Sequence, residues 1–297
     1  MASRTIGHTR RQVLGGLCLL PCWPLLGAPA SPRVIPLDWE LARLMLALGV
    51  TPLAVNQSEH FRERIEDPRL PPQVLDLGSE SEPNLELIQQ LKPDLLLTST
   101  LNPGQRQTLQ RIAPVREYIW ELAPGQSPYD KGLETLFQVG DWLDRRPQAL
   151  AVAEQLEGRL QACRHRLNGR TWPPIFIGDL TRGKGFIRLY ARNSILNDAL
   201  RLIGLDNAWR GEVDEYGKTR VGIEQLANPQ HALLFYLNYG KSSVRALHEL
   251  STSSLWNQLP LVRQGHVVPL PPTYVSGVQS AVNLAEAITA YLETRYV

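Results

Sequence analysis

Cysteine is scarce in this sequence, and no long apolar run occurs beyond the first 30 residues. Two of the three cysteines, Cys18 and Cys22, lie before residue 31, which leaves Cys163 as the one thiol of the remaining chain. A disulfide within that part of the chain is therefore excluded. Its apolar stretches fall short of the roughly 20 residues that a membrane-spanning helix needs. We expect a chain that is stabilised by packing and does not itself span a membrane.

Residue patterns typical of enzymes and of protein-bound metals are also missing. The six histidines are scattered, with no His-x-His or His-Glu-x-x-His pair to suggest a metal site. The sequence has no Gly-x-Ser-x-Gly elbow and no recognisable pairing of a catalytic cysteine with a histidine. We expect neither catalysis nor a metal or other cofactor held directly by the protein's side chains.

Residues 178–185 imitate a phosphate-binding loop but lack its essential parts. Gly185 stands where such a loop needs a hydroxyl side chain for magnesium. Residues 186–190 then continue as a strand pattern, whereas a phosphate loop leads into a helix. The segment therefore predicts a hairpin of two strands.

The first 30 residues predict an export signal. Arg4, Arg10 and Arg11 precede an uncharged stretch over residues 13–26, and the small residues at 28–30 suit a signal peptidase. The run at residues 9–14 also looks like a twin-arginine signal, while the ordinary secretory route stays open. The uncharged stretch is too short for a membrane anchor.

The remaining chain is almost neutral. The whole sequence has 31 basic and 29 acidic residues, a formal net charge of +2. Three basic residues and no acidic ones lie in the predicted signal, so 28 basic residues remain against the 29 acidic ones. This balance lacks the basic excess of nucleic-acid-binding proteins, and we expect no nucleic-acid partner.

Short apolar strand patterns alternate with helical patterns after residue 31, which favours an α/β fold. In the first half, Gly49 ends a helical pattern, and Asn84 can cap a helix that stops before Pro93. The best helical pattern runs from Ala149 to Leu167, with apolar residues at intervals of three and four. A helix of about 20 residues is about 30 Å long. It either links two lobes as a rigid strut or lies in the core of a single domain.

The two halves of the chain repeat one order of features. Residues 85–93 combine a short helix, an early glutamate and a proline before the apolar run 95–97, and residues 223–229 do the same before 232–235. We therefore predict two similar α/β lobes with a ligand cleft between them. The predicted boundaries are an export signal at 1–30, an N-terminal lobe at 31–125, linking helices at 126–170 and a C-terminal lobe at 171–297.

Several aromatic residues fall near strand ends or in loops. Open α/β sheets bind ligands at strand ends, and aromatic rings offer a flat apolar surface with a polar tip, which suits a bulky organic chelate. Packing in the core is the alternative for each ring. The candidates are Trp39, Tyr118, Trp120, Trp209, Tyr216 and Tyr274.

Six segments together resemble the periplasmic ferric-hydroxamate-binding proteins and their helical-backbone relatives. The likeness runs in register from about residue 33 to 290, in segments 33–39, 47–50, 82–87, 111–114, 206–209 and 255–260. The resemblance implies a periplasmic protein of two lobes joined by a long helix, working with an inner-membrane permease and a cytoplasmic ATPase. Iron would reach it already wrapped in a siderophore. We expect a monomer.

The resemblance carries the ligand site over only in part. Trp39 matches a tryptophan of the family's pocket, Tyr216 falls at a second aromatic position, and Tyr274 lies near a third. Glu80 and Asn102 stand where the family has an arginine and a tyrosine that hold the hydroxamate iron centre. Arg64 and Arg188 replace apolar ligand contacts. The implied ligand-binding set is Trp39, Arg64, Glu80, Asn102, Arg188, Tyr216 and Tyr274.

These replacements leave the charge of the ligand open. A glutamate in place of an arginine changes the local charge by two units and disfavours an anion, whereas Arg64 and Arg188 have the opposite effect. The arginines either neutralise Glu80 or bind a carboxylate of the chelate, unless Glu80 lies exposed at the rim and takes no part. The expected ligand is a ferric siderophore of the hydroxamate or mixed carboxylate-hydroxamate type.

Three other functions compete with siderophore binding. Another large metal chelate, such as cobalamin or haem, would occupy a similar cleft. An enzyme acting on ferric siderophores would change its ligand chemically, and a structural envelope protein would bind no small ligand saturably.

Glu86 and Glu224 each stand near the start of a helical pattern, one in each half. They resemble the glutamate pair that docks onto arginines of the permease in this family. Charges at the rim of an interface mainly steer and orient association. Stabilisation of a helix N-terminus by an acidic side chain is the alternative.

Overall fold

A computed structural model describes residues 1–2, 32–65, 67–99, 103–180, 185–270 and 276–296. Residues 32–297 form one compact unit. The predicted export signal, apart from its first two residues, lies outside the described residues, as do Asn102 and Tyr274.

The N-terminal lobe is built on parallel strands. Strands β1 (Val34–Pro36), β4 (Leu95–Ser99) and β5 (Val115–Tyr118) form a sheet in the order β1-β4-β5, and β2 (Ala54–Val55) pairs with β3 (Leu75–Asp76). A hydrogen bond from the Leu53 amide to the Val34 carbonyl, 3.0 Å long, sets β2 beside β1. Parallel strands need long crossover connections. The helices in these connections are α1 (Trp39–Ala47), α2 (Ser58–Arg64), α3 (Leu85–Leu91) and α4 (Pro103–Gln110).

Local sequence determines where these helices begin and end. The Asp38 carboxylate accepts a hydrogen bond of 2.9 Å from the Leu41 amide at the start of α1, and Asn84 caps α3 in the same way through the Leu87 amide. Gly49 follows α1 with a φ of +74°, a left-handed conformation that favours glycine. The predicted cap at Asn84 and the predicted stop at Gly49 are thus confirmed.

The C-terminal lobe contains a mixed sheet in the order β10-β9-β6-β7-β8. Strands β10, β9 and β6 are parallel, whereas β7 is antiparallel to both neighbours. The β6–β7 hairpin confirms the prediction for residues 178–185. Both lobes are α/β, but only the first is wholly parallel. The five strands are β6 (Ile175–Asp179), β7 (Phe186–Tyr190), β8 (Lys218–Gly222), β9 (Leu233–Leu237) and β10 (Val267–Leu270).

Helices fill the remainder of the described chain, and a 3-10 helix at Ile223–Ala227 precedes β9. The longest, α6, has 22 residues, a length of about 33 Å at 1.5 Å per residue. None of the described helices combines the length and the apolar character needed to cross a bilayer. The helices are α5 (Pro128–Trp142), α6 (Arg146–Leu167), α7 (Ile195–Leu202), α8 (Lys241–Ser251), α9 (Ser254–Gln258), α10 (Pro260–Arg263) and α11 (Val278–Tyr296).

One hydrophobic core extends through both lobes along α6. It joins buried side chains of α1 and α5 to those of β6, α7 and α11. Helix α6 therefore connects the two sheets and also packs into this shared core. It combines the two roles that its sequence pattern allows, a strut between lobes and a core helix. Its contributions to the core are Ala149, Leu156, Leu160, Cys163 and Leu167.

Ion pairs add to the contact between α6 and α11. Arg159 donates two hydrogen bonds to Glu286, 2.8 and 2.6 Å long, and Arg166 pairs with Glu293 about two turns beyond. These side chains are partly exposed. Water and salt weaken exposed pairs of this kind, so burial of apolar side chains dominates the contact.

A buried arginine links α1 of the N-terminal lobe to the start of α11. Arg43 is 2% exposed and donates hydrogen bonds to the Ser276 carbonyl (2.8 Å) and the Ser280 hydroxyl (2.9 Å). Its guanidinium also lies 3.5 Å from the Glu40 carboxylate, which is 6% exposed. Removal of one member of a buried pair leaves a charge without compensation, so this contact strongly favours one arrangement of the two lobes.

The shared core predicts unequal effects of two leucine truncations on the same helix. Leu160→Ala, at a position with no exposed surface, should lower the free energy of unfolding by about 2–5 kcal/mol because it leaves a cavity. Leu150→Ala, where the side chain is 48% exposed, should change it by less than about 0.5 kcal/mol. Urea denaturation followed by tryptophan fluorescence measures both, and similar losses in the two variants would contradict the packing of α6.

Candidate ligand-binding cleft

The carboxyl ends of the strands bring chemically useful side chains to the edges of the two sheets. Trp39 follows β1, Glu80 follows β3 and Trp120 follows β5 in the N-terminal lobe, while Asp179 ends β6 and Tyr239 follows β9 in the C-terminal lobe. Ligands of open α/β sheets bind outside these ends. A ligand site is therefore expected at these edges.

A cavity of about 1290 Å³ lies where Arg64, the last residue of α2, meets the C-terminal lobe. Ligand cavities for small molecules typically measure about 300–1,000 Å³, so this one has room for a bulky ligand. It brings together two residues of the predicted set, Arg64 and Arg188. The other polar residues of the C-terminal lobe that line it include Asp179, Tyr190, Lys218, Tyr239, Arg245 and Glu249.

A smaller cavity, of about 220 Å³, adjoins the first because Tyr190 and Lys218 line both. Trp120 of the N-terminal lobe and Tyr216 of the C-terminal lobe also line it. Tyr216 is 51% exposed, and the Lys218 ammonium lies 5.3 Å from the centre of its ring, within cation–π range. Rings from both halves of the chain therefore border one opening.

Trp120 and Tyr216 also line a third cavity, of about 1110 Å³, on the segment 121–128 and the start of α7. The smallest cavity thus shares lining residues with each of the two larger ones, which share none of the described residues with each other. We call these three cavities together the cleft.

Trp39 lies at the first position of α1, past the end of β1. Its indole N–H donates a hydrogen bond of 2.7 Å to the Asn56 carbonyl, and its ring packs edge-to-face on Phe61 with centroids 5.6 Å apart. Trp39 lines none of the four cavities delimited by the described residues. These two contacts are those of a packed ring, and the predicted role of Trp39 in ligand binding stays a prediction. Tyr118 is likewise 7% exposed and belongs to the shared core.

Glu80 is exposed and lines a separate cavity of about 520 Å³ in the N-terminal lobe, with Glu82 and Ser99. Among the described residues no ion pair joins Glu80 to Arg64 or Arg188. The carboxylate and the two arginines therefore line different cavities.

Asp38 is a further acidic group at this edge, and the sequence patterns assign it no role. The pKa of its carboxyl is raised from the ordinary 3.8 to about 7. Burial is the main cause, the negative charges of Glu40 and Glu80 add to it, and the hydrogen bond from the Leu41 amide opposes it.

The two predicted docking glutamates are both exposed. Glu86 lies in the first turn of α3, and Glu224 lies in the first turn of the 3-10 helix, where its carboxylate folds over the backbone of Gly222. Each position is open to a partner and also suits stabilisation of a helix N-terminus.

Among the residues of the cleft that sequence reasoning missed are Tyr190, Lys218, Tyr239 and Arg245. Tyr239 follows a strand end and could have been found by the rule applied to the other rings. Tyr190 and Lys218 are opposite each other in the β7–β8 ladder, and Arg245 lies on an exposed face of α8. Nothing in their local sequence marks these three, because only strand pairing and helix packing bring them to the cleft. Within the described ranges, no group of three or more His, Cys, Asp or Glu side chains could hold a metal ion.

Two α/β sheets joined by a long helix, with a cleft that both lobes line, are the architecture of a two-lobed solute-binding protein. Residues 34–274 match the periplasmic binding protein family, and the chain belongs to that family. It is a binding protein and not an enzyme.

Similarity to individual proteins covers most of the chain. The sequence is 28% identical over 274 residues to the iron(3+)-hydroxamate-binding protein FhuD of Escherichia coli, a match covering 91% of each chain. It is 26% identical over 243 residues to the Fe(3+)-citrate-binding protein YfmC of Bacillus subtilis, covering 79% of this chain and 71% of the relative. The crystal structure of the Fe3+-Desferal-bound siderophore-binding protein FhuD of Vibrio cholerae superposes with a TM-score of 0.78 at 25% identity, covering 88% of this chain and 97% of the other.

The raised pKa of Asp38 predicts that stability depends on pH. A carboxyl whose pKa is higher in the folded than in the unfolded chain contributes stability that is complete below pH 4 and is lost as the pH rises through about 7. The shift corresponds to up to about 4 kcal/mol at 1.36 kcal/mol per pKa unit. Asp38→Asn keeps a good helix cap without the charge.

The unmodified protein should therefore lose stability between pH 5 and pH 8 as Asp38 ionises, whereas Asp38→Asn should not lose this contribution. The free energy of unfolding of the variant minus that of the unmodified protein should be larger at pH 8 than at pH 5. Urea denaturation at the two pH values measures the difference. Asp130→Asn, on the exposed first turn of α5, is the control. An equal pH dependence in the unmodified protein and in Asp38→Asn would show that Asp38 ionises normally.

Proposed function

We propose that this protein is the periplasmic solute-binding component of an ABC importer. It captures a ferric siderophore of the hydroxamate or mixed carboxylate-hydroxamate type and delivers it to an inner-membrane permease driven by a cytoplasmic ATPase. The observation that carries the proposal is the cleft, where side chains of both lobes, Arg64 and Trp120 on one side and Arg188 and Tyr216 on the other, border adjoining cavities large enough for a chelate.

The lining of the cleft fits a metal that arrives already coordinated. Aromatic rings pack against the organic part of a chelate, and guanidinium and ammonium groups contact its oxygens from outside the coordination sphere. In this proposal the protein has no metal or cofactor of its own, and iron binds only as part of its ligand. Capture is non-covalent and reversible.

Because the two lobes share one core, we expect them to move little relative to each other when ligand binds. Hinge closure requires a few residues between the lobes to absorb large backbone changes. Here α6 packs into the core of both lobes, and Arg43 links α1 to the start of α11. We expect the two sheets to keep nearly the same relation with and without ligand.

The cellular setting in this proposal follows from the predicted signal and from the family. Residues 1–30 direct export, the remainder acts in the periplasm as a monomer, and the permease is the membrane-embedded partner. Glu86 on one lobe and Glu224 on the other contact basic residues of the permease, so that the permease senses both lobes at once.

Ligand titration tests the proposed function. Trp120 borders the cleft, so binding should quench intrinsic tryptophan fluorescence saturably when ferric desferrioxamine or ferric citrate is added. The iron-free chelators, cobalamin and haemin are the comparison ligands and should bind more weakly. Mass spectrometry should recover the bound chelate chemically unchanged. Preferential binding of haemin or cobalamin would replace the siderophore with that chelate, and absence of saturable binding by every ligand would refute the proposal.

Substitution of the two rim glutamates tests the docking role. Glu86→Ala and Glu224→Ala should leave the Kd for the chelate unchanged and lower uptake of radioactive iron by cells severalfold, because both residues lie outside the cleft. Glu154→Ala, an exposed residue of α6, is the matched control. Stabilisation of a helix N-terminus alone would change the unfolding free energy by about 0.3–1 kcal/mol. Uptake equal to that of Glu154→Ala would exclude docking through these residues.

A further inference from the structure

The largest of the three cavities in the cleft has an excess of positive charge. Four cationic side chains line it: Arg64 from the N-terminal lobe, and Arg188, Lys218 and Arg245 from the C-terminal lobe. The carboxylates in its described lining are those of Asp179 and Glu249. We call the three cations of the C-terminal lobe the basic wall.

Among the described residues, these cations have no carboxylate partner of the kind that neutralises several other arginines of the protein. Across the described part of the chain, no carboxylate lies within 4.0 Å of the charged groups of the basic wall or of Arg64. By contrast, even Arg210, whose side chain is 73% exposed, pairs with Asp206 at 3.3 Å. Like charges gathered in a concave surface repel one another and focus a positive potential into it. Binding of an anion would relieve that repulsion.

The N-terminal edge has the opposite charge. Glu80 and Glu82 line the separate cavity there, and Asp38 lies close enough to Glu80 to interact with its charge. A ligand with a negative and a neutral end is therefore favoured in one orientation, with the negative end against the basic wall. Arginine binds carboxylates through paired hydrogen bonds, which makes a carboxylate a suitable anion for Arg188 and Arg245.

We propose that the ligand is a ferric chelate that carries free carboxylate groups, and that Arg188, Lys218 and Arg245 hold these carboxylates while Arg64 approaches them from the other lobe. This inference rests on the proposed function and narrows it to anionic chelates. Chelates that share the same iron centre should then differ in affinity according to the charge that they present to the basic wall.

A series of three ligands isolates this charge effect. Ferric desferrioxamine B has a terminal ammonium group and a charge of about +1, its N-acetyl derivative is neutral, and its N-succinyl derivative ends in a carboxylate and has a charge of about −1. The iron centre is identical in all three. We expect affinity for the purified protein to rise from the ammonium to the acetyl to the succinyl form, and the spread to shrink when salt is raised from 50 to 500 mM.

Variants of the basic wall should remove the preference. Arg188→Gln and Arg245→Gln should each weaken binding of the succinyl form by about tenfold or more, the effect of losing a charge-assisted hydrogen bond, and should leave the acetyl form almost unchanged. Arg210→Gln, outside the cleft, is the matched control and should change neither. Fluorescence titration and calorimetry measure the affinities, and circular dichroism verifies that each variant is folded.

These measurements distinguish a failure of the anionic preference from a failure of hydroxamate binding itself. Equal or reversed affinities across the series, or a succinyl preference that survives in both arginine variants, would overturn the anionic inference while hydroxamate binding stands. Failure of all three ferric ligands to bind the unmodified protein would refute the hydroxamate function itself.

Discussion

A hydrophobic core that belongs to both lobes at once is the constraint on which the rest of this structure depends. Helix α6 contributes Leu156 and Leu160 to it, and α1, α5, α7 and α11 pack around the same side chains. Because a densely packed interior does not deform continuously, we expect the two sheets to keep one relation to each other. The buried Arg43, held by Ser276 and Ser280, adds a directional polar contact to this apolar base.

The shared core places the carboxyl ends of the strands of both sheets beside the cleft. Each sheet by itself presents a row of unrelated side chains at its carboxyl edge, and only the relation between the lobes brings Arg64 to the basic wall and Trp120 to Tyr216. If the cleft is as rigid as we propose, it loses little conformational entropy when it binds, which favours affinity without a large closing motion. In this proposal recognition depends on side chains at the surface of the cleft more than on movement of the lobes.

Charge is distributed unevenly over a chain whose total is nearly neutral. Acidic groups gather at the N-terminal edge around Glu80 and Asp38, and the cations of the basic wall gather on the C-terminal lobe. Net charge therefore says little about the ligand, because it averages two local fields of opposite sign. The family resemblance predicts a site for a chelate, while in our proposal the local charges select which chelates bind there.

The amino-acid sequence by itself determined the local structure: the cap at Asn84, the stop at Gly49, the β6–β7 hairpin and the length of α6 all follow from interactions between residues close together in the chain. It also determined the family, through segments kept in order and spacing. Tertiary structure alone decided that Trp39 packs on Phe61, that Glu80 lies apart from the arginines, and that Lys218 and Arg245 join Arg188. These relations depend on strand pairing and helix packing between residues far apart in the chain, and no local pattern encodes such distances.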